Sequence, residues 1–525
     1  MDIARTGGAV RRARLRLPEV TLERLWSIAP VVAAFCAVAN TRIALGDFWW
    51  HLKAGEMIAT TGSIPTTDTF SFVTYGQPYL YAQWLGEFCL YRLFDLGGLE
   101  LVVFGNAVVV AAVAACVLLA CREATADFRA AALAALLAFL LVKPSVDARP
   151  QIFGIRFFAA SSLILIRYSQ GKSSPLCLLP ALAALWANTH GTAILSLALA
   201  GLFFGAEGLK LLLGGRWGRP LPARRVVALG VATAAAPLAM VINPAGFGFF
   251  TYVLGLQSNP AVRGMVTEWM PPTISNPEHA LFFLTLFALV VLLAVSRATL
   301  DVTEVVVLVA FLALGFQAYR NLAWFGMAAA PIMARLLAEV FSRWFARAIS
   351  PTAEAMERAS RQPGRLGSAV AVLLAGVCVM LLPWVSPRLL GVDADRLLTA
   401  RETPTGAVEY VRDHLRGERI FAPVTYAGYM AWAIPGQRIF VDGRVEQYPL
   451  EVLLDYQYIV SAVSWRETLA KYDMGYVIVP KVGADSLHLR SLRRALESLS
   501  PSEAWRLVYE DEKSRIYARP TSVGQ

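Results

Sequence analysis

The run Leu45-Gly46-Asp47-Phe48-Trp49-Trp50-His51-Leu52, continued by Gly62-Ser63-Ile64-Pro65-Thr66-Thr67-Asp68-Thr69-Phe70-Ser71, sets two acids and two tryptophans after the first long apolar segment. That segment, Trp26 to Leu45, is long enough to cross a bilayer. A carboxylate at such a boundary, screened from water by aromatic rings, is placed to act as a general base toward a hydroxyl or to hold a divalent ion. Residue type alone gives each group a plainer role as well. Asp47 stands where the N-cap of a helix from Phe48 to Ala59 belongs, Trp49 and Trp50 suit an interfacial belt, and Asp68 suits a turn.

Outward from this loop the chain is dominated by apolar segments. Of its 525 residues 57% are hydrophobic and 16% charged, against roughly 25% charged in a soluble domain. Disorder and a soluble single-core enzyme are excluded. Further apolar segments run from Leu101 to Cys121, Ala130 to Val142, Ile152 to Ile166, Leu176 to Trp186, Ala193 to Leu213 and Val226 to Ile242. Others follow from Leu281 to Val295, Val305 to Ala318, Leu322 to Val340 and Val370 to Trp384, which with the first makes eleven candidate spans. Tyr79 to Phe94 is also apolar, but Gln83, Glu87 and Arg92 interrupt it at helical spacing, so it is expected to lie on the membrane surface as an amphipathic helix.

With that segment on the surface, the Arg5 to Arg16 cluster, the Arg167/Lys172 loop, the Lys210 to Arg225 loop and the Arg343 to Arg365 loop share one side, the cytoplasm. The net charge of +10 therefore signals topology and not nucleic-acid binding. The expected fold is an α-helical polytopic membrane protein of about eleven spans with a C-terminal α/β domain. Residues 1–25 form a cytoplasmic basic tail, 26–385 the transmembrane domain with its first outer loop at 46–100, and 386–525 an extracytoplasmic α/β domain. In that last part, strands are expected at Arg419 to Val424, Gln437 to Val441, Tyr476 to Val479, Trp505 to Tyr509 and Ser514 to Tyr517, with helices at Gly406 to Leu415, Trp465 to Tyr472 and Ser486 to Leu499. The six cysteines have no C-x-x-C spacing, and no phosphate loop, H-E-x-x-H or Ser/His/Asp order is present.

Polar residues gather on the outer side. Lys143, Arg149 and Gln151 cluster before the Ile152 span, and Arg156 lies inside it, where a charge costs roughly 2.5–3.5 kcal/mol unless paired. Arginine offers forked donors to a lipid phosphate, and the plainer role is a pair with Asp147 or snorkelling to the interface. Arg320, in Tyr319-Arg320-Asn321, has the same two roles open to it. Asn188 and His190 share a tight turn, and Glu268 stands beside Trp269 in the loop from Asn243 to His279. Asp442-Gly443-Arg444 follows an expected strand and suits a turn first.

The layout of basic tail, single span, long outer loop opening on an acid, many further spans and an outer α/β domain resembles the GT-C superfamily of lipid-linked-sugar glycosyltransferases. Asp47-x-Trp49-Trp50-His51-Leu52 with Ile64-Pro65-x-x-Asp68-x-Phe70-Ser71 is similar to the first-loop pattern of a bacterial branch of it. The resemblance implies a sugar donor on polyprenyl phosphate or diphosphate, and Asp47 as catalytic base or metal ligand. Whether a metal is used is left open, with Mg or Mn as the candidate cation and Asp47 and Glu268 as its candidate ligands. Trp49, Trp50, His51, Asp68, Lys143, Arg149, Gln151, Arg156, Asn188, His190, Glu268 and Arg320 are the substrate-binding candidates. The implied acceptor is an envelope glycan, lipid or protein hydroxyl on the outer face of the bacterial inner membrane. The first and later outer loops are read as lacking an Asp-x-Asp pair and the C-terminal domain lacks a Trp-Trp-Asp-Tyr-Gly motif, which argues against transfer to protein asparagine. Two rivals stand beside this reading: a transporter or flippase, which would place acids mid-span in two repeated halves, and a catalytically silent relative acting in envelope assembly.

Overall fold

The computed structural model describes residues 20–347, 365–498 and 505–520. The arginine-rich tail and most of the Arg343 to Arg365 loop lie outside the described residues. Each of the eleven apolar segments contains a helix, although Ala39 to Leu45 at the end of the first lies beyond it. Leu22–Val38 (α1) leads, capped by Thr21, whose side chain accepts from Arg24 N–H. After the short Asp47–Thr61 (α2) comes Trp84–Ala124 (α3), followed by Phe128–Val142 (α4), Gln151–Ser169 (α5), Leu178–Thr189 (α6), Ile194–Leu212 (α7) and Ala223–Met240 (α8). Gly248–Ser258 (α9) and Pro260–Met265 (α10) occupy what the sequence leaves as a loop, and Ala280–Val295 (α11), Val302–Gln317 (α12), Leu322–Arg347 (α13) and Arg365–Met380 (α14) complete the set. Among the described residues seven helices are long and apolar enough to cross a membrane by length and composition, and Leu178–Thr189, Val302–Gln317 and Leu366–Met380 are shorter apolar helices.

The expected surface helix and the second span are joined. The helix begins at Trp84, five residues later than Tyr79, and breaks at Gly97 and Gly98 before continuing to Ala124. Gly98 holds φ 64°, ψ −161°, a conformation only glycine adopts without strain, so the break is written in the sequence. Glu87 on the first half is buried rather than turned to water.

One apolar core runs through the helices, with α13 packed along α4 and α1 along α3. On the face away from α2, Arg167 and Lys172 both pair with Glu123, and the buried Lys210 bridges Glu207 (2.7 Å) to Asp301 (3.0 Å), tying α7 to α12.

After the last helix of that set come Thr405–His414 (α15), Ile420–Phe421 (β1), Val424–Ala433 (α16), Leu450–Ser461 (α17), Trp465–Lys471 (α18), Tyr476–Pro480 (β2), Arg490–Glu497 (α19), Arg506–Glu510 (β3) and Ser514–Ala518 (β4). The sheet order is β1-β2-β4-β3, with β1 and β2 parallel and the other pairs antiparallel. Gln437 to Val441 is not a strand of this sheet. Ile439 instead exchanges backbone hydrogen bonds with the first loop, donating to Phe70 C=O and accepting from Phe72 N–H, both at 2.9 Å. The expected helix at Ser486 to Leu499 is divided into Asp485–His488 and Arg490–Glu497.

The first loop and the C-terminal unit share a core. Trp50, Phe70, Tyr79 and Tyr81 pack with Val408, Tyr426, Ile439 and Ile478. At its centre Arg444, with a fully buried side chain, donates from Nη1 to Asp68 (2.8 Å) and from Nε to both oxygens of Asp442 (3.0 and 2.9 Å).

Candidate active site

Where α2 meets the turns before α5 and α13, a cavity of about 780 Å³ opens. Asp47 is the first residue of α2 and caps nothing: the N-cap is Gly46, and no side chain makes a capping bond there. Its Oδ1 accepts from Trp50 Nε1 at 3.2 Å and its Oδ2 from Arg149 Nη1 at 3.0 Å. Arg149 stands immediately before Pro150, in the turn that opens α5. Its other terminal nitrogen, Nη2, donates to Glu268 at 2.7 Å, so a single guanidinium joins two acids 221 residues apart in the chain. Burial works against that charge, but the two carboxylates outweigh it and hold Arg149 above its ordinary pKa.

Arg320 comes from the 3₁₀ turn Tyr319–Asn321 between α12 and α13, which is tied to the Glu268 loop by Tyr319 N–H donating to Met270 C=O at 2.9 Å. Its guanidinium lies 4.7 Å from the Trp269 ring centre and lines the cavity. Arg320 makes no hydrogen bond or ion pair with any described residue.

The C-terminal unit closes one wall. Gly443 packs so tightly on α2 that a Cβ there would collide with Asp47 Oδ1. Gly443→Ala is therefore expected to unseat Asp47 from Arg149 and to cut turnover by about 10²-fold while the fold survives, measured as kcat beside an unchanged far-UV circular dichroism spectrum. Glu446 also faces the cavity, with Tyr252 Oη donating to its Oε1 at 3.4 Å. Burial pushes the Glu446 carboxyl above the usual carboxylate range.

Two carboxylates meet through an arginine, and among the described residues no group of three His, Cys, Asp or Glu is arranged to hold a metal ion. The donor set is that of an ion-pair network and does not fit a divalent-cation site at Asp47 and Glu268.

No protein-family model and no curated protein matches the chain. Among solved structures, the oligosaccharyltransferase of Archaeoglobus fulgidus in its apo form superposes with a TM-score of 0.55 at 14% identity, covering 95% of this chain and 75% of that one. The same enzyme tethered to an acceptor peptide containing the NVT sequon superposes equally, at 13% identity over 95% and 74%. The chain shares the fold of this oligosaccharyltransferase. ArnT from Cupriavidus metallidurans bound to undecaprenyl phosphate aligns over 96% of this chain and 98% of that one at 13% identity, with a TM-score of 0.46 that bears no weight here.

Within this fold the cavity gathers Asp47, Trp50, His51, Arg149, Gln151, His190, Glu268 and Arg320 of the residues singled out in the sequence. The others lie elsewhere. Trp49 is turned about 100° from Trp50 on the helix and packs against Phe48 and Tyr429. Asp68 is fully buried under Arg444. Lys143 is exposed outside the cavity, and Arg156 donates to Cys116 Sγ at 3.1 Å, deeper between α5 and α3. Asn188 is a brace, accepting from Trp84 Nε1 (2.7 Å) and donating to Ile242 C=O (2.6 Å). Contrary to the expectation for the outer loops, the chain does carry an Asp-x-Asp pair after the last span, Asp393 and Asp395, but neither lines the cavity, and Asp393 caps a short helix. Glu446, Tyr252 and Glu87 are the residues the sequence did not mark as site candidates. Glu87 was marked only as a polar interruption of an apolar helix, and Tyr252 and Glu446 have no local spacing that sets them apart, although Glu446 stands two residues after Asp442-Gly443-Arg444.

Proposed function

We propose that this chain is an integral-membrane glycosyltransferase that moves a sugar from a polyprenyl-phosphate or -diphosphate donor to a hydroxyl of a glycan, lipid or protein, on the outer face of the bacterial inner membrane. The observation that carries the proposal is Arg320: a cation stacked on Trp269 in a cavity of about 780 Å³, with no hydrogen-bonding partner of its own among the described residues. Volumes of about 300–1,000 Å³ suit a small ligand such as a sugar phosphate. With its donors unspent on any described residue, the Arg320 guanidinium beside Arg149 offers phosphate oxygens a match for its forked donors.

In this reading Arg320 and Arg149 hold the donor phosphate, Asp47 and Glu268 fix Arg149 in place, and Trp50 bounds the sugar. Leu195 of α7 and Val253 and Leu256 of α9 give the cavity an apolar wall suited to the lipid tail. Attack on the anomeric carbon breaks its bond to the phosphate oxygen, and a phosphate leaves with little need of protonation, so one base is sufficient. The resemblance of the fold to an oligosaccharyltransferase supports a transferase of this general kind. The basic Arg167, Lys172 and Lys210 on the opposite face support an extracytoplasmic cavity.

Native mass spectrometry of the purified protein tests it. Polyprenyl phosphate is expected to remain bound and polyprenol of the same length to be lost. Equal retention of the two lipids would contradict a phosphate site.

A further inference from the structure

Two histidines face the cavity, and their partners hold them in opposite tautomers. His51 Nδ1 lies 2.9 Å from Glu87 Oε1, with both residues buried. A carboxylate only accepts, so Nδ1 carries the proton and Nε2 is left with a lone pair. His190 is the reverse. Its Nδ1 accepts from Thr192 N–H at 3.2 Å and lies 2.8 Å from the Thr192 hydroxyl, which itself accepts from Trp186 Nε1 at 3.1 Å. With two donors on Nδ1, the ring proton of His190 is on Nε2.

Both rings line the cavity, and neither Nε2 has a hydrogen-bond partner among the described residues. Burial lowers the pKa of each ring, opposed by Glu87 at His51 and reinforced by Arg320 and Arg149 at His190. One neutral imidazole therefore offers the cavity a base, and the other a donor. Asp47 is less suited to be the base, because both its oxygens already accept hydrogen bonds.

We propose that His51 Nε2 removes the proton of the acceptor hydroxyl, that Glu87 orients it, and that His190 Nε2–H donates a hydrogen bond to the departing phosphate oxygen. The inference rests on the glycosyl transfer proposed above. The acceptor oxygen bonds to the anomeric carbon as its proton passes to His51. The bond from that carbon to the phosphate oxygen breaks, and its electron pair stays on the phosphate, which leaves as the anion beside His190, Arg149 and Arg320. The imidazolium formed at His51 is balanced by Glu87, whose Oε2 has no partner among the described residues, and it returns its proton to water. His51 and His190 are catalytic residues in this account, and Glu87 is a positioning residue.

The test is transfer of labelled sugar by the full-length protein in liposomes, for the wild type, His51→Gln, His51→Ala and Glu87→Gln. The glutamine at position 51 keeps a donor for Glu87 but supplies no base. It is expected to leave the donor KM within about threefold and to lower kcat by about 10²–10⁴-fold. Added imidazole is expected to restore turnover to His51→Ala, and Glu87→Gln, which retains His51, is expected to gain nothing from it. Turnover by His51→Gln within about threefold of wild type, or failure of imidazole to rescue His51→Ala, would overturn this inference alone. No transfer by the wild type from any donor would remove the glycosyl-transfer reading and this inference with it.

Discussion

Replacing Arg320 with glutamine is expected to weaken binding of the lipid-phosphate donor by about 10- to 150-fold, the loss that follows when a hydrogen bond between charged groups is removed. The magnitude follows from how the guanidinium is held. It is stacked on Trp269, and no described carboxylate is within ion-pair distance, so its donors are not already spent. Glutamine keeps much of the reach and a donor but loses the charge and the fork. Arg149→Gln is a less clean experiment, because it leaves Asp47 and Glu268 without the cation that joins them. The measurement is the donor KM and dissociation constant for Arg320→Gln. An unchanged value would remove Arg320 from the phosphate site.

Arg444→Met is expected to cost about 3–5 kcal/mol of stability, the usual penalty for breaking a buried ion pair from one side. The side chains of Arg444 and Asp68 are 0% exposed, and Asp442 is equally buried. Methionine fills a similar volume, so the loss comes from two carboxylates left in an apolar site and not from a cavity. The effect falls on the joint between the first loop and the C-terminal unit, since Arg444 reaches Asp68 across it. A large fall in the thermal unfolding temperature in detergent checks this, and a wild-type value would contradict it.

The helical scaffold was legible because hydropathy records the segments that must satisfy their own backbone in lipid. Leu101 to Cys121 and Leu322 to Val340 are in helices for that reason. What hydropathy misses is set by contacts distant in sequence. The segment Gln437 to Val441 ends in the strand-like Ile439-Phe440-Val441, yet Ile439 pairs with Phe70 and Phe72 of the first loop. Helices α16 and α17 went unmarked because Val424–Ala433 and Leu450–Ser461 are rich in aromatic and β-branched residues that blur a helical period.

The site was half legible. Asp47 and Arg149 were marked by their position at segment ends, but that one arginine holds both Asp47 and Glu268 depends on three loops converging. Trp49 and Trp50 look equivalent as neighbours in sequence, and only the helical turn between them decides that Trp50 faces the cavity. Asp68, the second acid of the same loop, was a substrate-binding candidate, but Arg444, far along the chain, claims its carboxylate.

The most direct test of the account is transfer of radiolabelled sugar from a panel of polyprenyl-phosphate and -diphosphate donors into cell-envelope acceptors, with wild type and Asp47→Asn at matched, folded expression. The account predicts label transferred by the wild type and lowered by about 10²-fold in Asp47→Asn, as Arg149 loses its seat. Equal transfer by both proteins, or none by the wild type from any donor, would contradict it.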